Sequence, residues 1–328
     1  MEHQRIIVIG SSAGGVNALK TLISSLPKNF DATIFVIQHL SPDTKSMLPD
    51  ILSTAGLLPA SHPQDGEVVK AGHVYVARPD HHLVICENII QVRKGPKENR
   101  FRPSIDVTMR SVALEYGNRV IGIVLTGMLN DGTSGLWSIC EMGGMTIIQD
   151  LKEALYPDMP RNVLKHMEVD FQLPLAEIGP LLVKLVAENK LKEKKEQGYL
   201  AKRMKAETGI AAEKNALEAG VLKMGEPSNL TCPECGGALV SLKEGKLMRY
   251  RCHTGHAFSA DSLKSGINES METSLWQALR TVEEGIIFLE QAATHSQSIG
   301  EPEEADKLTR DAASLRNKAR TLLDFIYD

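Results

Sequence analysis

Three side chains of complementary chemistry follow three short apolar runs of the chain. Ser12 comes after RIIVIG, His39 after TIFVIQ, and Asp131 after RVIGIVLTG. A serine hydroxyl is a poor nucleophile at neutral pH. It becomes a good one when an imidazole takes its proton and a carboxylate holds that imidazole in the right tautomer, the arrangement of many acyl-transfer enzymes. Ser12 sits in VIGSSAGGVNAL, where Gly10, Ser12 and Gly14 read as G-x-S-x-G, a sharp strand-to-helix turn that lifts a hydroxyl off the end of a sheet. A dinucleotide fingerprint needs G-x-G-x-x-G and an acidic residue closing the second strand. Here the glycines are Gly10, Gly14 and Gly15, and the second run ends in Gln38 and His39. A phosphate-binding loop needs Lys-Ser or Lys-Thr after its glycines, and neither follows. Taken alone, the five-residue pattern fits a tight structural turn with a capping serine equally well. Phasing favours Ser12 over its neighbour Ser11. Asp106 competes with Asp131 but lies inside the helix-like PSIDVTMRSVA, where a structural contact or cap is expected. His81 and His82 read as solvated loop residues or substrate contacts, and Cys86 and Cys140 as inert core thiols.

A second constellation lies in CPECGGALVSLKEGKLMRYRCHTGH. Cys232 and Cys235 form a C-P-x-C knuckle, and Cys252 with His256 forms C-x3-H after a loop of sixteen residues. Thiolates and an imidazole at this spacing can close a tetrahedron around zinc. Four protein ligands leave no open position, so a structural zinc with no part in catalysis is expected. His253 is an alternative fourth ligand, and a metal-free reduced hairpin is the alternative to the site as a whole. Of the chain's five cysteines, three fall between residues 232 and 252, which argues against a disulfide framework.

The elements that must position these residues follow from periodicity. RIIVIG, TIFVIQ, RVIGIVLTG and MTIIQD are nearly continuous β-branched runs, the pattern of strands buried on both faces of a parallel sheet. VNALKTLISSL, PSIDVTMRSVALEYG, SGLWSICEMGG and MPRNVLKHM between them carry apolar residues at helical spacing. The prediction is an α/β domain with a doubly wound, mostly parallel sheet over residues 1–187. VVKAGHVYVARPDHHLVICENIIQVRKG alternates apolar with polar and reads as antiparallel strands. A charged linker or helix over 188–228 follows, then the zinc-ribbon-like module at 229–264. A helical hairpin at 268–328 ends the chain, with apolar seams through Leu275, Leu279, Val282, Ile286 and Leu289 and again from Leu308 to Ile326, broken by SIGEPEE. Those seams are expected to pack on each other, or to dock a second copy or a signalling partner. A catalytic domain with its own core is expected to stay folded when cut near residue 188. Lys and Arg number 37 against 41 Asp and Glu, a net charge of -4, so nucleic acid is not an expected partner. The apolar N-terminal run is too short for a signal peptide, and LPLAEIGPLLVKLVA is broken by Glu177 and Lys184. No membrane insertion and a cytoplasmic location are expected.

The motifs resemble one known family, the CheB-type protein-glutamate methylesterases of bacterial chemotaxis, over roughly residues 4 to 185. IGSSAGG is similar to the family's nucleophile turn, IQH to its histidine motif, NRFRPSIDV to its mid-domain motif and LTGMLNDG to its aspartate motif. The resemblance implies Ser12 as nucleophile, His39 as general base and then acid, and Asp131 as the residue orienting His39. It also implies an oxyanion hole built from the backbone N–H groups of Ala13 and Met128, with no cofactor for catalysis. The expected reaction is hydrolysis of glutamate methyl esters on the cytoplasmic helices of methylated chemoreceptors, with deamidation of glutamine as a related activity. An esterase for another protein or small ester, and a non-catalytic signalling scaffold, remain as alternatives. The family usually carries an N-terminal receiver domain that controls access to the site. This chain opens directly onto the first catalytic strand, so control is expected from elsewhere, with the C-terminal module in that place.

Overall fold

The computed structural model describes residues 4–193 and 198–327. Runs of Val and Ile need cover on both faces, and the chain supplies it with a parallel sheet between two layers of helices. The central strands β1 (Arg5–Ser11) and β2 (Ala32–Gln38) are buried along their whole length. Helix α1 (Gly15–Ser24) joins them, and α2 (Leu48–Ala55) and the short strands β3 (Ala60–Ser61) and β4 (Glu67–Val68) follow. Next come β5 (Val74–Val76), β6 (His82–Cys86), β7 (Ile89–Arg93) and α3 (Ile105–Tyr116). The fold continues through β8 (Val120–Val124), α4 (Thr133–Glu141), β9 (Met145–Gln149), α5 (Asp158–His166), β10 (Phe171–Leu173) and α6 (Leu175–Glu188). Seven strands pair in the order β10-β9-β8-β1-β2-β5-β3, every pair parallel. Alternate residues of β1 feed opposite layers. Ile6 and Val8 pack with α3, α4 and α5, and Ile7 and Ile9 with α1, α2 and α6.

The segment expected to be antiparallel divides in two. β6 and β7 form an antiparallel hairpin extended by β4, but Val74–Val76 is wholly buried and runs parallel to β2 in the main sheet. Alternation described the exposed hairpin and failed for a three-residue strand covered on both faces. Cys86 ends its strand exposed, not in the core, while Cys140 is partly buried.

Within the segment expected to be a charged linker or helix, α7 (Gly198–Ala211) is a packed helix. Leu200 and Met204 join the core beneath α3, and Arg203 and Glu207 are buried. Four antiparallel strands follow: β11 (Glu226–Thr231), β12 (Ala238–Glu244), β13 (Leu247–Cys252) and β14 (Ala257–Ser259). This small sheet shares a buried charge network with α3 and α7. Glu98 pairs with Arg110 at 2.9 Å and with Arg249 and Arg251, Glu207 pairs with Arg249 at 3.1 Å and Arg251 at 2.9 Å, and Glu244 pairs with Arg249 at 2.7 Å and Arg203 at 2.8 Å. Burial opposes ionisation of Glu98, yet the surrounding guanidinium groups hold its carboxyl down to about 2, and they hold Glu207 well below the usual range.

Residues 1–263 form one compact unit and 264–328 another. Helix α8 (Ala260–Ser298) starts in the first and continues as the first helix of the second, where α9 (Pro302–Tyr327) returns after a turn over 299–301. The two seams face each other. Leu279, Ala293, Ala305, Ala312 and Ala319 are buried, Arg316 pairs with Glu290, and the Trp276 and Tyr327 rings meet edge to face at 6.2 Å. Among the described residues no helix is long and apolar enough to cross a membrane.

Candidate active site

The sheet order places the carboxyl ends of β8, β1 and β2 side by side, and the direction of winding reverses at β1. Open α/β sheets bind their ligands at such switch points. Ser12 follows β1, His39 follows β2, and Asp131 lies in the loop after β8. In the turn after β1, the Ser12 N–H donates to the Thr126 carbonyl at 3.0 Å and the Gly15 N–H returns to the Ser12 carbonyl at 2.9 Å. Gly14 makes the corner at φ +76°, a left-handed conformation that side chains disfavour. Gly127 leaves room for Ser12, since a Cβ there would stand 2.8 Å from the Ser12 Cβ.

The three side chains form one relay. His39 Nδ1 lies 3.1 Å from Ser12 Oγ, and His39 Nε2 lies 2.8 Å from Asp131 Oδ2. An ionised carboxylate only accepts, so Nε2 carries the ring hydrogen and Nδ1 is left as the acceptor for the Ser12 O–H. The ring stacks flat against Phe101, with centroids 3.6 Å apart and planes 9° from parallel. Gln38 anchors the backbone behind it, donating from Nε2 to the carbonyls of Ser12 at 2.8 Å and His39 at 3.0 Å. Ser11 is fully buried and donates to Gln38 Oε1 at 2.7 Å, so it is committed to structure.

Asp131 is held by the start of a helix to which it does not belong. Its Oδ2 accepts from the Ile105 amide at 2.6 Å as well as from His39, and its Oδ1 accepts from Asn99 Nδ2 and Ser104 Oγ, both at 2.9 Å. Burial raises the pKa of this carboxyl, but the bonds from His39, Asn99 and Ile105 outweigh that and hold it below the ordinary carboxylate range. Asp106 returns the arrangement from the first turn of α3. Its Oδ1 accepts from the amides of Gly132 at 3.0 Å and Gly135 at 2.6 Å at the start of α4. Each helix start is thus capped by a carboxyl group from the other segment, which takes up amides that the helix leaves unpaired. Burial and then the Asp131 charge push the Asp106 carboxyl up to about 8. The structural role expected of Asp106 is the one it has, though the helix it caps is α4.

Neither the Ala13 nor the Met128 amide bonds to another group among the described residues. His82 is neither solvated nor a surface contact. It is fully buried, bonded through Nε2 to the Pro96 carbonyl at 2.9 Å, and burial lowers its pKa. Gln38, Asn99, Phe101 and Ser104 were not singled out from sequence, although all four lie within IQH and NRFRPSIDV. Polar and aromatic residues inside those short motifs were the available signal.

Far along the chain, Cys232, Cys235, Cys252 and His256 converge, their ligand atoms all within 4.8 Å of one another. Cys235 and Cys252 sulfurs are 3.8 Å apart, and His256 Nδ1 lies 3.7 Å from Cys232 and 3.6 Å from Cys252. Zinc–sulfur bonds of about 2.3 Å imply tetrahedral edges of roughly 3.8 Å, so the donor set fits that ion. His253 is turned toward Gly237 and is not part of the cluster.

Residues 7–182 match the family model described as CheB methylesterase. Protein-glutamate methylesterase/protein-glutamine glutaminase 2 of Methanosarcina mazei is 36% identical over 191 residues, which are 56% of this chain and 52% of that protein, so the chain spans about half of that relative's length. A putative protein-glutamate methylesterase/protein-glutamine glutaminase of Leptospira interrogans is 36% identical over 184 residues, 56% of this chain and 95% of that protein. The crystal structure of the Thermotoga maritima CheB methylesterase catalytic domain superposes with a TM-score of 0.54 at 37% identity, over 56% of this chain and 99% of that one.

Proposed function

The chain belongs to the CheB methylesterase family, and from that premise we propose that it hydrolyses glutamate methyl esters on chemoreceptor helices, releasing methanol, and deamidates glutamines there by the same acyl-enzyme route. The observation that carries this reading is the continuous relay from Ser12 Oγ through His39 to Asp131. Ser12 Oγ attacks the ester carbonyl as His39 Nδ1 takes its proton. The Ala13 and Met128 amides receive the developing negative charge, a contribution of about 3 to 4 kcal/mol per donor in comparable sites. His39 then protonates the departing methanol, and water attacks the acyl-enzyme with His39 again as base. The scheme asks for no cofactor. A cytoplasmic location goes with this substrate.

The test is methanol release from methylated receptor, run beside hydrolysis of p-nitrophenyl acetate. Turnover of both, lost in Ser12→Ala, supports the reading. Turnover of the small ester alone would make the chain an esterase for another substrate, and turnover of neither would make it a scaffold.

In the ribbon, Cys232, Cys235, Cys252 and His256 would hold a zinc ion that cross-links two hairpin ends and supplies no chemistry. Metal analysis should give one zinc per chain, lost in Cys235→Ser. The C-terminal hairpin keeps Phe288, Phe325 and Tyr327 exposed, which supports its use by a second copy or a signalling partner.

A further inference from the structure

We infer that the ribbon is part of the catalytic apparatus: through Ser259 and Ser262 it locks the side chain of Asn99, and Asn99 positions the Asp131 carboxylate. The inference rests on the Ser12–His39–Asp131 reading of the site.

Asn99 is fully buried and uses its whole hydrogen-bonding capacity. Its Nδ2 donates to Asp131 Oδ1 at 2.9 Å and to Asp106 Oδ2 at 2.7 Å. Its Oδ1 accepts from the Ser259 amide at 2.9 Å and from Ser262 Oγ at 3.0 Å. Both acceptor bonds come from the ribbon's last strand and the helical turn that follows it. A backbone N–H can only donate, so the atom facing Ser259 must be the oxygen, and the NH2 end must then face the two carboxylates. Rotated the other way, the amide would aim its oxygen at both of them. The ribbon therefore holds Asn99 from its oxygen end in the one orientation that Asp131 can use.

The same strand holds the backbone of the loop. Asn99 and Arg100 stand at φ +52° and +73°, conformations that residues other than glycine keep only when their surroundings impose them. Here β14 imposes them, with the Asn99 amide donating to the Ala257 carbonyl at 2.7 Å and the Ala257 amide to the Lys97 carbonyl at 3.2 Å. Two residues on, Phe101 covers the His39 ring. Ser259 Oγ also donates to Asn130 Oδ1 at 2.8 Å, beside Asp131 itself. One edge of the ribbon thus touches both loops that bear on the His39–Asp131 pair, without touching a reacting atom.

The experiment uses the full chain with p-nitrophenyl acetate, so that failure of the receptor assay would count against the substrate assignment and not against this one. Outer groups that orient the ligands of a metal centre are typically worth about tenfold to a hundredfold in activity, and the same scale is taken for a group that orients Asp131. Asn99→Ala should lower kcat by about a hundredfold and Ser262→Ala by about tenfold, with KM changed less than about twofold. Ser241→Ala, on the far side of the ribbon sheet, should match the wild type. Proton NMR supplies the readout that a merely structural role would not move. The deshielded His39 Nε2–H resonance should shift or broaden in Asn99→Ala and Ser262→Ala while their melting temperatures stay near that of Ser241→Ala. If Asn99→Ala fails to fold, Ser262→Ala carries the test alone. Wild-type kcat in Ser262→Ala, a loss confined to KM, or a fall in kcat with the resonance in place would each overturn the inference.

Discussion

At the residue scale the site works by exclusion of alternatives. Ser11 and Ser12 are chemically identical neighbours, but Gln38 consumes the hydroxyl of one and braces the backbone of the other. Asp106 and Asp131 are both buried carboxylates, yet only Asp131 faces His39. The burial and charge that push Asp106 up to about 8 would disable it as a partner for imidazole at neutral pH. Triad members act as a unit, so Ser12→Ala and His39→Ala should each lower turnover by several orders of magnitude, and the double variant should lose little more than either. Steady-state kinetics on p-nitrophenyl acetate check this, and strictly additive losses would rule out a shared mechanism.

At the element scale, α3 is the hub. Its first turn receives Asp131, its Asp106 caps α4, and its Arg110 enters the charge network with α7 and β13. Burying so many charges is favourable only while every partner is present, because removing one leaves the others desolvated and unpaired. Glu207→Ala should therefore cost about 3 to 5 kcal/mol in urea unfolding. The network also predicts a pH dependence. The folded pKa of Glu98, about 2, lies below the ordinary value of about 4.3, so its contribution is present above pH 4.3 and is lost as pH falls toward 2, on the order of 3 kcal/mol. Asp106 acts in the opposite sense. Its raised folded pKa gives a contribution present below about pH 4 and lost as pH rises toward 8. Urea midpoints measured from pH 2 to 9 should thus fall toward pH 2 as Glu98 is protonated and fall again between about pH 4 and 8 as Asp106 ionises. Midpoints independent of pH between 2 and 4 would contradict the ion pairs.

At the scale of the whole molecule, the expectation of a catalytic domain separable near residue 188 meets a packed interface. Such a cut would strip Leu200 and Met204 from the core, remove Glu207 from beside Arg110, and take Ser259 and Ser262 from Asn99. Residues 1–188 alone should melt lower than the full chain and hydrolyse p-nitrophenyl acetate more slowly, whereas 1–263, a compact unit, should keep both properties. Equal melting temperature and activity for the two truncations would show that α7 and the small four-stranded sheet are dispensable. The nucleophile turn, the order of the parallel strands' carboxyl-end residues and the Cys–His spacing were legible from the residues in order, because each depends on local chemistry: glycine at a corner, β-branched runs in a buried strand, ligand spacing around a knuckle. Ser12, His39 and Asp131 could be picked out because strand ends in this architecture meet at one edge. What periodicity missed was everything whose meaning lies in a distant partner. The segment 188–228 reads as a charged linker or helix, but its Arg203 and Glu207 pair with residues about forty positions away. Ser259 and Ser262 are ordinary serines until the chain returns them to Asn99, 160 residues earlier in the sequence. Pattern along the chain determines which elements form and which chemistry they carry. Only the tertiary structure decides which buried polar groups satisfy one another, because a hydrogen bond leaves no periodic trace in sequence and is specified by the meeting of two surfaces.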